Sequence, residues 1–175
     1  MGRSYFRLVR GNPRVIGLPK LAADDVLQSA FIYWDSVEKA ARPATALAGT
    51  AAANRVKAAQ TLVGFSMSRL PAGVAARMGV ATGGQWIVDT TSAWAGEPLD
   101  PVALGDDGAS VIPAPNETLA IGRLAAAKAA GQTTCVIELL SRMSQHNAVD
   151  VEQEASPSPS ASGEPEASPS PSEPY

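Results

Sequence analysis

Few residues in this chain could do chemistry, and their spacing does not bring them together. His146 is the one imidazole among 175 residues, and Cys135 is the one thiol. With no second His, no Cys pair and no His-Glu-x-x-His spacing, the pattern assembles no metal set. A Ser–His or Cys–His nucleophile would have to recruit His146 from beyond the last strand-like segment. Cys135 has no imidazole beside it and nothing electropositive to lower its pKa, so it reads as a small buried hydrophobe. Paired carboxylates occur at Asp24-Asp25 and Asp106-Asp107, both in turn-like contexts where Asp serves local backbone hydrogen bonds. Gly79-x-x-x-Gly83-Gly84 lacks the Lys-Ser/Thr of a phosphate loop and the helix that follows a dinucleotide fingerprint. The expectation is a protein that is not an enzyme, with no catalytic residue, cofactor, metal or small-molecule substrate.

The elements around these residues read mostly as strands. Val63, Phe65 and Met67 alternate with Leu62, Gly64 and Ser66, the period of two expected of a half-buried strand. Further strands are expected at about residues 14–18, 31–35, 74–81, 85–90, 99–104, 119–125 and 134–140. Turn chemistry separates many of them, as at Pro71-Ala72-Gly73, Gly83-Gly84 and Gly96-Glu97-Pro98. Residues 50–61 read as the one clear helix, with Thr50 as N-cap and Ala52, Val56, Ala59 and Val63 on its apolar side. A second, short helix fits residues 22–28. Near-regular short strands predict a mainly β fold: a compact β-sandwich or barrel-like domain with one packed α-helix, an extended N-terminal arm and a disordered C-terminal tail.

Charge divides the chain more sharply than its net value of -3 suggests. All fourteen Lys and Arg lie in residues 1–150, whereas residues 151–175 carry five Glu and no base. Arg3, Arg7, Arg10, Arg14 and Lys20 fall in the first twenty residues, which hold no acid, so residues 1–20 read as a basic arm that seeks an anionic partner. Residues 21–148 form the β-rich domain. From residue 149 onward the chain is Pro-, Ser- and Glu-rich, with Glu154–Ser160 repeated twelve residues later as Glu166–Ser172. Such a segment has nothing to bury and is expected to stay disordered. No apolar run reaches the roughly 18 residues that a membrane span needs. The N-terminus lacks the apolar stretch of a secretory signal, so synthesis in the cytoplasm is expected.

Of the three tryptophans, Trp34 and Trp86 fall in strands and read as core. Trp94, between Ser92-Ala93 and Ala95-Gly96, reads as an exposed loop aromatic able to anchor a subunit contact.

In order and wording these pieces resemble the small decoration (cement) proteins of tailed-phage capsids. The resemblance rests on Tyr33-Trp34-Asp35 closing an early strand and on residues 51–60 leading into Leu62-Val63-Gly64-Phe65-Ser66. Val80-Ala81-Thr82-Gly83-Gly84, Pro101-Val102, and Ala120-Ile121-Gly122-Arg123 ahead of residues 135–140 complete it, over about residues 25–141. The family's Gly-Asp pair before Tyr-Trp-Asp is missing here, where Gln28-Ser29-Ala30 stands. The resemblance implies a structural virion subunit on the capsid exterior, made in the bacterial host cytoplasm and commonly trimeric. Its partner would be the major capsid protein, and Arg3, Phe6, Arg7, Arg10 and Arg14 would be the expected capsid contacts. Two other roles fit less of the pattern. One is a head-completion or tail-tube protein. The other is a nucleic-acid-binding module using the basic arm, against which the β body lacks an Arg-and-aromatic stacking face.

Overall fold

A computed structural model describes residues 7–11, 13–90 and 94–140. Arg3, Phe6, His146 and the repeated Pro-Ser segment lie outside these residues. Eleven strands run in chain order: β1 (Arg7–Arg10), β2 (Val15–Lys20), β3 (Phe31–Asp35), β4 (Ala40–Pro43), β5 (Leu62–Ser66) and β6 (Ala76–Ala81), then β7 (Gln85–Asp89), β8 (Pro101–Leu104), β9 (Val111–Pro113), β10 (Gly122–Leu124) and β11 (Thr134–Leu139). One α-helix, α1 (Ala51–Thr61), lies between β4 and β5. The protein is mainly β, as its strand spacing predicts, and barrel-like in a literal sense.

Five strands close a barrel in the order β2-β4-β3-β5-β6, and the other six form a sheet in the order β1-β7-β11-β10-β8-β9. A parallel bridge from Thr90 to Val111 brings the end of β7 against β9, so the sheet curls on itself. Val26, Ile32, Ala41, Val63, Met78 and Val80 fill one apolar cluster, with Ile16, Leu18 and Trp34 against it. Because all five barrel strands contribute, this cluster is the barrel interior. The neighbouring positions Phe31, Phe65 and Ala81 face the opposite way and join Trp86, Val88, Leu104, Ile137 and others of the six-stranded sheet. Phe31 and Phe65 stack at 4.7 Å between centroids, and Phe65 meets Trp86 at 4.8 Å.

Strand β5 is therefore buried on both faces, not half-buried as its alternation suggests. One face looks into the barrel and the other onto the sheet, a surface that a period of two cannot distinguish from solvent. Gly64 makes this possible. A Cβ placed there would sit 1.9 Å from the Ala81 carbonyl oxygen, so no side chain fits at the β5–β6 crossing.

Three expectations change. Residues 7–20 are not a free arm: β1, not expected as a strand, pairs antiparallel with β7, and β2, expected at about 14–18, pairs with β6 along its whole length. The run from Val15 to Leu18 supplies interior side chains at every second residue, which fixes β2 in the barrel wall. Residues 22–28 form no helix. They are a turn followed by a Val26–Leu70 bridge, and Val26 is buried in the barrel. In α1, Thr50 does cap Ala53, but the buried positions are Ala58 and Ala59, whereas Val56 is exposed. Asn54 and Arg55, expected outside, are part-buried because each is bound to a neighbouring loop. Strands β4 and β9 escaped the sequence reading; at four and three residues they carry too little periodicity to register.

Gly64→Ala is expected to lower stability by about 3 kcal/mol through backbone overpacking. Gly83→Ala, where an added Cβ meets nothing within 4 Å, should change stability by no more than about 0.5 kcal/mol. Urea unfolding of both variants checks the contrast.

Candidate functional site

A cleft lies where β3 and β4 meet α1, with an open volume of about 300 Å³. Its walls include Tyr33 and Asp35 from β3, Arg42 from β4, Leu47 from the loop before the helix, and Asn54 and Lys57 from α1. Antiparallel pairing of Tyr33 with Arg42 and of Asp35 with Ala40 brings the strand residues together. Helix periodicity then puts Asn54 and Lys57, three apart, on the same side.

Nearly every charge in this cleft is tied off. Arg42 makes a bidentate contact with Asp24, Nε to Oδ2 at 2.9 Å and Nη2 to Oδ1 at 3.0 Å. Asp35 accepts hydrogen bonds from the backbone N–H groups of Val37 at 3.1 Å and Glu38 at 3.4 Å. Lys57 Nζ stands 3.4 Å from Asp35 Oδ2 and 4.9 Å from the Tyr33 ring centroid. Asn54 holds the preceding loop, donating to the carbonyls of Leu47 and Gly49 and accepting from Gly49 N–H. Two acids and two bases balance, and together they pin β3, β4 and the loop at residue 24 to the helix.

Its titrations follow from that geometry. Burial pushes the Asp35 carboxyl up, but the Glu38 and Val37 amides and the Lys57 ammonium outweigh it, leaving the group below its ordinary 3.8. Burial raises the Tyr33 phenol above 10.0; Arg42 offsets part of this, while Asp35 and Asp24 add to it. Bonding to Asp24, above all, raises Arg42.

Two buried lysines were not legible in the sequence. Lys20 is 4% exposed, and its ammonium donates to the carbonyls of Leu21 at 2.8 Å, Val74 at 3.1 Å and Pro71 at 3.2 Å. Three donors meet three acceptors, so the charge is solvated by backbone alone. Lys128 donates to the Trp94 carbonyl and lies 4.7 Å from the centroid of that indole.

That contact changes the picture of Trp94. The residue is half-buried against the core, with its indole N–H on Thr90 Oγ1 at 2.9 Å, so it is a fixed wall rather than a free loop aromatic. Among the expected contact residues, Arg7 and Arg10 sit on β1, and Arg14 is exposed just ahead of β2. The structure does not bring them to the cleft. Asp24 departs from its expected turn role by pairing with Arg42, whereas Asp107 keeps it, accepting from Ala109 and Ser110 N–H. Cys135 is buried, and burial pushes its thiol up to about 11. Among the described residues no three His, Cys, Asp or Glu side chains are grouped to share a metal ion, and no helix is long and apolar enough to cross a membrane.

A second surface lies on the outside of the barrel wall. Gly17 of β2 and Gly79 of β6 stand directly opposite each other in register. A Cβ on Gly79 would lie 3.6 Å from Val15 and 3.7 Å from Met67, and those two side chains are 54% and 42% exposed. The Arg77 guanidinium lies over Gly17, bonded to its carbonyl, and the exposed Arg14 precedes Val15 in sequence. The result is a flat apolar patch with a glycine floor and a cationic border.

No protein-family model and no curated protein matches this chain.

Arg42→Met is expected to cost about 2 kcal/mol, because Asp24 is left buried without a partner while the arginine itself is partly exposed. Asp35 contributes stability above its ordinary 3.8 that is lost as pH falls through the lowered value. Tyr33 contributes stability present below 10.0 that is lost as pH rises through the raised value. Thermal melts across pH should show a flatter acid limb for Asp35→Asn and a flatter alkaline limb for Tyr33→Phe.

Proposed function

We propose that this protein is a structural virion subunit that binds the outside of a phage capsid shell and stabilises contacts between capsomers. Its partner is the major capsid protein, and it works as a homo-oligomer, a trimer, on the capsid exterior. The observation that carries this reading is the outer patch formed by Val15, Gly17, Met67 and Gly79, with Arg77 over Gly17 and the exposed Arg14 next to Val15 in sequence. Gly79 carries no side chain to hold a partner off, and the exposed Val15 and Met67 beside it supply apolar area that water disfavours. The cationic border favours an acidic facing surface and sets orientation more than raw affinity. The central cleft supports the same reading, since its charges are consumed in holding strands to helix. The sequence resemblance to decoration proteins points the same way.

The test is co-sedimentation of the purified chain with expanded phage heads. Wild-type protein should pellet with heads at micromolar concentration. Arg14→Glu combined with Val15→Glu should weaken binding at least about tenfold, or about 1.4 kcal/mol, with unchanged melting temperature. Indifference of the wild-type chain to heads, or equal binding by the double variant, would overturn the proposal. Tight DNA binding with a steep salt dependence would instead favour the nucleic-acid role.

A further inference from the structure

The turn at residues 97–100, ahead of β8, holds a leucine in a conformation that suits glycine. Asp100 N–H bonds to the Glu97 carbonyl at 3.2 Å, and Leu99, third in the turn, has a φ of 77°. With Pro98 in second place this is the type II form, whose third residue is ordinarily glycine or asparagine. Neighbouring groups enforce the conformation. Glu97 N–H bonds to Asp100 Oδ2 at 2.8 Å, Leu99 N–H bonds to the Leu124 carbonyl at 2.8 Å, and Arg123 donates to the Leu99 carbonyl at 3.4 Å. Among the described residues Leu99 gains no packing in return, since its side chain is 66% exposed and joins neither apolar cluster. Strain retained under an apolar side chain with nothing to pack on points to a contact made outside the chain.

We infer that Leu99 of one copy seats on the Gly79 notch of a second copy, a head-to-tail contact. Shape and charge both favour this occupant. A Cβ on Gly79 would meet Val15 at 3.6 Å and Met67 at 3.7 Å, so a methyl group entering there from outside finds apolar atoms on two sides. Leu99 carries two methyl groups on an exposed turn. Glu97 and Asp100 beside it are exposed, and so are Arg14 and Arg77 beside the notch. Among the described residues none of these four is in an ion pair. Unpaired acids flank the knob and unpaired arginines flank the socket, so the two surfaces are complementary. A Leu99-to-Leu99 contact would instead set acids against acids, and a notch-to-notch contact would set arginines against arginines.

Knob and socket do not meet within one copy, because both are exposed and Leu99 leads into β8, three strands away from β7 in the sheet. A contact between two different surfaces is heterologous, and copies joined by it form a ring when the rotation closes. This contact rests on the homo-oligomeric reading proposed above and supplies its interface. Heads then meet a ring, and a variant that breaks the ring loses head affinity through lost avidity.

Sedimentation velocity of the full-length protein without heads tests the contact. The wild-type chain should associate at micromolar concentration. Leu99→Gly should weaken association at least about tenfold, while its melting temperature stays level or rises because glycine relieves the positive φ. The chain carrying Arg14→Glu and Val15→Glu should be monomeric as well. An equimolar mixture of these two variants should recover heterodimers and nothing larger, since one keeps the socket and the other keeps the knob. Undiminished association of Leu99→Gly, or a mixture that stays monomeric, would overturn the inference. A wild-type chain that is monomeric yet pellets with heads would overturn this contact alone and leave the capsid reading standing. Oligomers lost in Leu99→Gly but indifferent to heads would support this contact and end the capsid reading.

Discussion

The close approach of β5 and β6 at Gly64 is the constraint on which the rest of the molecule depends. A five-stranded barrel has a narrow interior, and closing it forces backbones to approach where side chains would otherwise separate them. At Gly64 the Ala81 carbonyl occupies the space of a side chain. With that approach made, Val63 and Val80 turn inward while Phe65 and Ala81 turn outward to the second sheet. One pair of strands then serves two cores at once. The small side chains follow from the same geometry: Ala41 fits the barrel interior, and Ala44, Ala58 and Ala81 let helix and sheet lie close to its outside. A composition that looks thin in the sequence is what two cores sharing a wall require.

Charge placement obeys a related economy. Burying a cation is unfavourable unless its donors are met. Lys20 solves this with three carbonyls and Lys128 with carbonyls and an indole face, so neither depends on a carboxylate. Both fasten loops: Lys20 ties the end of β2 to residues 71 and 74, and Lys128 ties the segment before β11 to Trp94. Arg42 does the same for residue 24 through Asp24. These polar groups act as fasteners where strands give way to loops.

The legible and illegible parts of the sequence divide along this line. Strands β3, β6, β7 and β11 were readable because each has one or more branched or aromatic residues at strand spacing, and α1 because Thr50 and an alanine run announce it. The face of α1 was not readable, since Asn54 is drawn inward by the preceding loop at Leu47 and Gly49 and Arg55 by the distant Asp106, contacts that lie outside the helix and leave no periodic mark in it. The same holds for the cleft: Asp24, Asp35, Arg42 and Lys57 are a set only after β3 and β4 have paired. Residues 1–20 read as an arm because positive charge dominates them, with a strand only at 14–18. The partners of β1 and β2 are written in β7 and β6. The outer patch was hidden for a different reason: Gly17 and Gly79 fall in separate expected strands, and only the register sets them face to face.

That register has a mechanical consequence. β6 and β7 are successive strands joined by the short turn at residues 82–84, with β6 in the barrel and β7 in the sheet. β1 and β2 repeat the arrangement, pairing with β7 and β6 respectively, while Thr82 N–H bonds to the Arg14 carbonyl at the corner. Barrel and sheet are thus stitched by two chain crossings laid side by side, beyond the aromatic contact of Phe65 with Trp86. Ladder hydrogen bonds run perpendicular to their strands. A pull along β2 therefore loads all six of its register pairs with β6 together instead of opening them one at a time. Val15 and Gly17 of the outer patch lie on β2 itself, so a partner seated there would pull along the most continuous ladder in the molecule. A subunit whose work is to resist strain would place its contact on such a strand.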